Sequence, residues 1–164
     1  MMTMPVATEV ATRLVVATLI GSGVGLDREL RHKPAGLKTH ALVALGAALI
    51  TVVSATLTDI AHPDSTVISR AIQGIMAGVG FLGGGAILKS DHEMVRGLTT
   101  AASIWLVASL GIACGAGEFA VALIALGIAL IVLVCGNAFE ERLRRRPNAT
   151  SSPPRPSGSG PERP

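Results

Sequence analysis

FAVALIALGIALIVLVC, residues 119–135, decides the fold, because these seventeen residues carry no charge at all. As an α-helix rising about 1.5 Å per residue the stretch is about 26 Å long, close to the roughly 30 Å hydrocarbon core of a bilayer. Four more apolar stretches of similar length precede it, at about 10–26, 39–57, 67–88 and 98–114, with Arg13 and Arg70 the charges inside them. The 164-residue chain is 49% hydrophobic and 15% charged. Buried helices of a soluble protein are the alternative, but five such stretches leave too few polar faces to cover a soluble surface. The expected fold is therefore all-α, a polytopic transmembrane bundle of five helices forming one domain over residues 1–146. Residues 147–164 are rich in Pro, Ser and Gly and are expected to be a disordered tail.

The charges set the expected orientation. Of the 14 basic residues, four (Arg28, Arg31, Lys33, Lys38) follow the first stretch and two (Lys89, Arg96) follow the third. Six more (Arg142, Arg144, Arg145, Arg146, Arg155, Arg163) follow the fifth. If five helices alternate, these twelve share one side, which the positive-inside rule makes the cytoplasm, with the N-terminus outside. Arg13 and Arg70 remain, each just inside the outer end of a helix, where a long side chain can snorkel to the headgroups. The formal net charge of +3 suits an anionic inner leaflet. With no Tyr, one Trp and three Phe, the chain lacks the stacking platforms of a nucleic-acid binder. The start MMTMPVATEV has no basic n-region and reads as leading into a first span, not a cleavable signal. Cys114 and Cys135 fall at opposite membrane faces, so no disulfide is expected between them. No His/Cys cluster has metal-ligand spacing, and neither a cofactor nor a catalytic residue is indicated.

The third stretch reads ISRAIQGIMAGVGFLGGGAILK, residues 68–89. Gly74 and Gly78 form a GxxxG pair, as do Gly80 and Gly84, Gly21 and Gly25, and Gly111 and Gly115. Such pairs let helix backbones approach closely in a membrane, so tight packing within the bundle is one expectation. The other is that Gly83, Gly84 and Gly85 break the helix and expose carbonyls to a pathway, as in transporter half-helices. Gly78-Val-Gly80-Phe-Leu-Gly83 matches a dinucleotide-binding pattern by letter, but no strand precedes it. At about 100° per residue Arg70 points near Gly74 and Gly78. It either faces the bundle interior beside an acid or snorkels outward.

GLDRELRHKPAGLKTHALVAL, residues 25–45, places alternating charges (Asp27, Arg28, Glu29, Arg31) just past the membrane edge. Pro34 ends any helix, Gly36 permits a turn, and Thr39 is expected to cap the second helix. The third connection repeats the pattern with Lys89, Asp91, Glu93 and Arg96. It leads into RGLTTAAS, where Thr99 and Ser103 lie one turn apart on the same face.

Three runs carry a resemblance. They are GLDRELRHKPAGLKTHALVALGAAL (25–49), RAIQGIMAGVGFLGGGAILK (70–89) and VRGLTTAASIWLVASLGIACGAGEF (95–119). In order and without large gaps, they resemble the MgtC/SapB family of bacterial membrane proteins. The matching positions are Asp27, Arg28, Glu29, Arg31, Pro34, Gly36, Thr39 and His40, then Arg70, Gly78, Gly80, Gly83, Arg96, Gly97, Thr99 and Thr100. Gly84 stands where Ala is more usual. The resemblance implies a five-helix inner-membrane protein. It also implies the roles attributed to the family: adaptation to low magnesium, survival of some pathogens inside host cells and, in some members, restraint of the F-type ATP synthase. Longer members carry a soluble C-terminal domain that this sequence is expected to lack.

Two functions compete. One is a non-enzymatic regulatory or stress-adaptation protein acting through partners in the lipid bilayer, with the ATP synthase or a homo-oligomer among the compatible arrangements. The other is a small magnesium or proton transporter. A magnesium pathway needs several oxygen ligands near the midplane, yet no Asp or Glu lies in the middle of a span. An enzyme has little support, because no nucleophile–base pair is visible along the chain.

Overall fold

The computed structural model describes residues 4–57, 65–89 and 95–144. The loop acids Asp59 and Asp64 and the tail at 147–164 lie outside the described residues. The chain divides into two compact units, 1–130 and 131–164. The first contains α1 (Met4–Leu30), α2 (Leu37–Thr56), α3 (Ser65–Ala86), α4 (Leu98–Ala116) and the start of α5 (Phe119–Arg144). Of the second, the structure describes the remainder of α5. All five helices are long and apolar enough to cross a membrane. A two-residue strand pair, β1 (Leu88–Lys89) and β2 (Val95–Arg96), joins α3 to α4 antiparallel, with Leu88 opposite Arg96.

Helices α1, α2 and α4 pack mutually on one another, and α3 packs on α2 and α4. The core is built from small side chains, with Ala17, Ala44, Ala48, Val107, Ala108 and Cys114 fully buried. Large apolar residues point outward instead, Phe81 at 84% exposure and Ile124 at 65%, as expected where lipid is the solvent. Over residues 119–136 of α5, where burial is described, Ala122 and Ala129 are the buried hydrophobic residues, and the Leu, Ile and Val side chains lie mostly outside.

The glycines divide sharply. A Cβ at Gly21 would sit 2.6 Å from the His40 carbonyl oxygen, and one at Gly25 would sit 2.6 Å from the Leu37 Cα. Gly115 would meet the Ala48 carbonyl oxygen at 2.7 Å, and Gly111 would strike that of Ala44. The GxxxG pairs of α1 and α4 thus seat both helices on α2, using Ala44 and Ala48 as the facing small residues. In α3 the expectation of packing within the bundle fails at most positions. Gly74, Gly78, Gly80, Gly84 and Gly85 have nothing within 4 Å of an added Cβ, while Gly83 lies 3.5 Å from the Ala101 Cβ. The expected break at 83–85 is absent as well, since α3 runs through all three glycines to Ala86. Their flexibility is overridden because backbone groups in an apolar span have no partner better than their own helix.

The first charged segment is helical and not a loop. It is the last turn of α1, which continues to Leu30, and Arg31 donates from Nε to Asp27 Oδ1 at 2.9 Å across one turn. His32, at φ +52°, closes the helix: its N–H reaches the Glu29 carbonyl at 3.0 Å, and the Lys33 N–H reaches that of Arg28 at 3.0 Å. This paired closure satisfies the terminal carbonyls. Gly117 (φ +87°) closes α4 in the same way, with Glu118 N–H on the Ala113 carbonyl at 2.9 Å.

Candidate functional site

The polar residues of the bundle gather where α1 ends and where α2 and α4 begin. Glu29, on α1, reaches forward to α2: its Oε2 accepts from the Leu37 N–H at 2.8 Å. A carboxylate at a helix N-terminus satisfies a free N–H and opposes the positive end of the dipole. The N-cap residue is Gly36, with no side-chain cap of its own, so Thr39 does not cap α2 as expected. Gly36 is required for space and not for an unusual backbone angle, because a Cβ there would collide with the Glu29 carboxylate. The left-handed residue of this connection is Ala35, at φ +57°.

Arg28 turns inward and is 3% exposed. Its Nη2 donates to Thr100 Oγ1 on α4 and to the Pro34 carbonyl at 3.3 Å, while Nε has no partner. Among the described residues no carboxylate lies within ion-pair distance of it; the close ion pairs are instead Arg13–Glu9 and Arg31–Asp27. The nearest counter-charge is the neighbouring Asp27, which acts on it only through space and whose Oδ2 is itself buried without a hydrogen-bond partner; a buried guanidinium with a spare N–H and no direct ion pair is costly to keep.

His40 is completely buried and joins α2 to α4. Its Nδ1 lies 2.9 Å from the Gly36 carbonyl and its Nε2 lies 3.0 Å from Ser103 Oγ. A carbonyl only accepts, so Nδ1 carries a proton. The single Ser103 proton then has two acceptors, the His40 Nε2 and the Thr100 carbonyl at 2.8 Å. This is a serine–histidine pair that the linear sequence conceals, the two residues being 63 apart. At 0% and 3% exposure neither residue can meet a substrate, and the pair acts as a pin between helices.

Beside this network a cleft of about 780 Å³ opens between the α1–α2 connection, the end of α3 and the start of α4. Pro34, Thr39, Arg96, Gly97 and Thr100 line it together with Leu82. Gly97, at φ +93°, passes so close to the Ala86 carbonyl that no side chain fits. A second groove of about 610 Å³ continues between α2 and α3, floored by Gly46, Gly74 and Gly78, and shares Leu82 with the first.

The structure thus brings Arg28, Pro34, Thr39, Arg96, Gly97 and Thr100 to one cleft or its wall, with Glu29, Gly36 and His40 immediately behind. Others fall elsewhere. Arg70 is exposed, sixteen residues and roughly 24 Å of helix from Ala86, which favours the outward reading over a buried ion pair. Gly80 is exposed, and Thr99 is exposed while Ser103 is buried, so these two do not share an environment. Arg13 is tied down more firmly than snorkelling implies: it pairs with Glu9 and donates to the Gly115 carbonyl at 2.8 Å. Leu82 and Gly85 of the cleft carry no polar signal and were legible only as part of a glycine-rich span. Among the described residues no cluster of His, Cys, Asp and Glu is placed to hold a metal, and both cysteines are free.

Five membrane-length helices, three of them (α1, α2 and α4) joined at one end by a buried Arg–Thr and His–Ser network, define a multi-pass α-helical membrane protein. The sequence pattern of the MgtC family matches residues 14–142, and the chain belongs to that family. It is 41% identical over 129 residues to Protein SrpB of Synechococcus elongatus, covering 74% of this chain and 71% of that one. It is 40% identical over 135 residues to Protein MgtC of Salmonella typhimurium, covering 82% of this chain and 54% of that one. The chain therefore spans about half the length of the MgtC relatives. No solved structure matches it.

Proposed function

We propose that the chain is a regulatory or stress-adaptation protein of a bacterial inner membrane, non-enzymatic, acting through membrane partners in adaptation to low magnesium. The basic end that bears the cleft faces the cytoplasm, and the N-terminus lies outside. Membership of the MgtC family supports the setting. The F-type ATP synthase is one partner compatible with it.

The observation that carries the reading is the distribution of buried polar groups. Arg28, His40, Thr100 and Ser103 sit together at one end, and the other buried polar residues among those described are Thr51 and Ser54. These two spend their hydroxyls on their own helix, at the Ala47 and Ile50 carbonyls, 2.8 and 2.7 Å away. A magnesium path through the bundle needs oxygen ligands arrayed along it, and the unbroken α3 offers no freed carbonyls. The arrangement supports a protein that presents a surface over one that conducts.

Liposomes loaded with a magnesium-sensitive dye test this directly. The expected result is no saturable uptake. Uptake that is saturable and lost in Arg70→Gln or Gly83→Leu would replace the regulatory reading with a transporter. Reporter fusions at residue 146 check the orientation, and an external C-terminus would overturn it.

A further inference from the structure

We propose that the cleft and the groove behind it form one binding site for an anionic phospholipid, with the phosphate at the mouth and one acyl chain between α2 and α3. The site's polarity runs in one direction. Its mouth has the exposed Arg96 and the Thr39 and Thr100 hydroxyls, and Arg28 lies behind the wall. Both acceptors of Arg28, Pro34 and Thr100, are cleft residues, and the guanidinium keeps an unused N–H. Among the described residues neither arginine has a carboxylate within ion-pair distance. An anion at the mouth accepts a charge-assisted hydrogen bond from Arg96, and Arg28 behind the wall attracts it through space.

Beyond Leu82 the site is lined only by apolar residues and glycines. It runs along α3 from Leu82 to Ala71, eleven residues or about 17 Å, and half of a roughly 30 Å hydrocarbon core is about 15 Å. The groove therefore has the length of one leaflet, beginning at the basic end. Its depth comes from the absence of side chains at Gly46, Gly74 and Gly78, none of which has an atom within 4 Å of an added Cβ. A free phosphate would use the mouth and leave this groove empty. A neighbouring transmembrane helix would use the groove and leave the mouth's charge unmet. A phospholipid matches both.

The test uses the full chain in mild detergent, offered equal phosphatidylglycerol and phosphatidylcholine with identical acyl chains and read by native mass spectrometry. Both headgroups present the same phosphodiester oxygens, but the quaternary ammonium of phosphatidylcholine is repelled by Arg96 and Arg28, which predicts a preference for phosphatidylglycerol of about tenfold. Arg96→Gln removes most of the preference. Gly78→Leu plugs the groove and lowers retention of both lipids; because the position is open the fold survives, and Gly74→Leu repeats the experiment should Gly78→Leu aggregate. Equal retention of the two lipids by the unmodified chain overturns the proposal. So does retention unaffected by both glycine variants together with competition by inorganic phosphate, which means a headgroup site only. A glycine variant that changes the oligomeric state while lipid retention stays constant makes the groove a protein interface, and also overturns it.

Discussion

Gly111→Ala and Gly78→Ala are the same substitution in the same GxxxG pattern, and the structure predicts opposite outcomes. At 111 the new methyl group meets the Ala44 carbonyl oxygen, with the Ala44 Cα and the Ala47 Cβ each 3.0 Å away. These are backbone atoms and a short side chain, so none can swing aside and α2 must separate from α4. Overpacking of this kind costs about 1–3 kcal/mol, offset by about 1 kcal/mol of helix propensity, for a net loss of about 0–2 kcal/mol. At 78 the methyl group meets nothing, and the propensity gain of up to about 1 kcal/mol stands alone. The two variants should therefore differ by about 2 kcal/mol, roughly thirtyfold in an opening equilibrium. Cys114 is the reporter, because it lies on α4 three residues from Gly111 and is fully buried, while Cys135 is exposed. In a Cys135→Ser background, detergent-solubilised protein is pulsed with a maleimide and the modification rate of Cys114 is measured. Faster labelling of Gly111→Ala, with Gly78→Ala no faster than the parent, is expected. Equal acceleration by both would refute the reasoning, since it would show α3's glycine face to be as tightly packed as that of α4.

Three further outcomes follow from the polar end. Glu29→Ala removes the acceptor at the start of α2 and should lower stability by about 1 kcal/mol, visible as a lower thermal midpoint by circular dichroism; Glu29→Gln should recover part of the loss. Thr100→Val takes from Arg28 one of its two acceptors while keeping the shape, at a cost of about 1–3 kcal/mol, and a midpoint equal to the parent's would mean water or lipid already satisfies Arg28. Gly97→Ala forces a side chain into a left-handed angle against the Ala86 carbonyl, at about 1–3 kcal/mol, and the same melting experiment should rank it at least as damaging as Glu29→Ala.

The membrane class, the five helices and their approximate spans were legible in the linear chain, because hydrocarbon thickness and backbone hydrogen bonding impose a length and a composition on each span independently of its neighbours. The GxxxG pairs of α1 and α4 were legible too, since close approach needs only the absence of a side chain. The same letters in α3 marked a groove, because whether a glycine meets a partner depends on which helix faces it. The end of α1 was misjudged for a related reason: Asp27, Arg28 and Glu29 look like a solvated loop until Thr100, 72 residues on, accepts from Arg28 and Leu37 donates to Glu29. The His40–Ser103 pin was equally hidden. Short-range patterning by itself determined what crosses the membrane. Only the tertiary structure decided which polar groups meet, because a buried donor's partner is set by the packing of helices and leaves no period in the sequence.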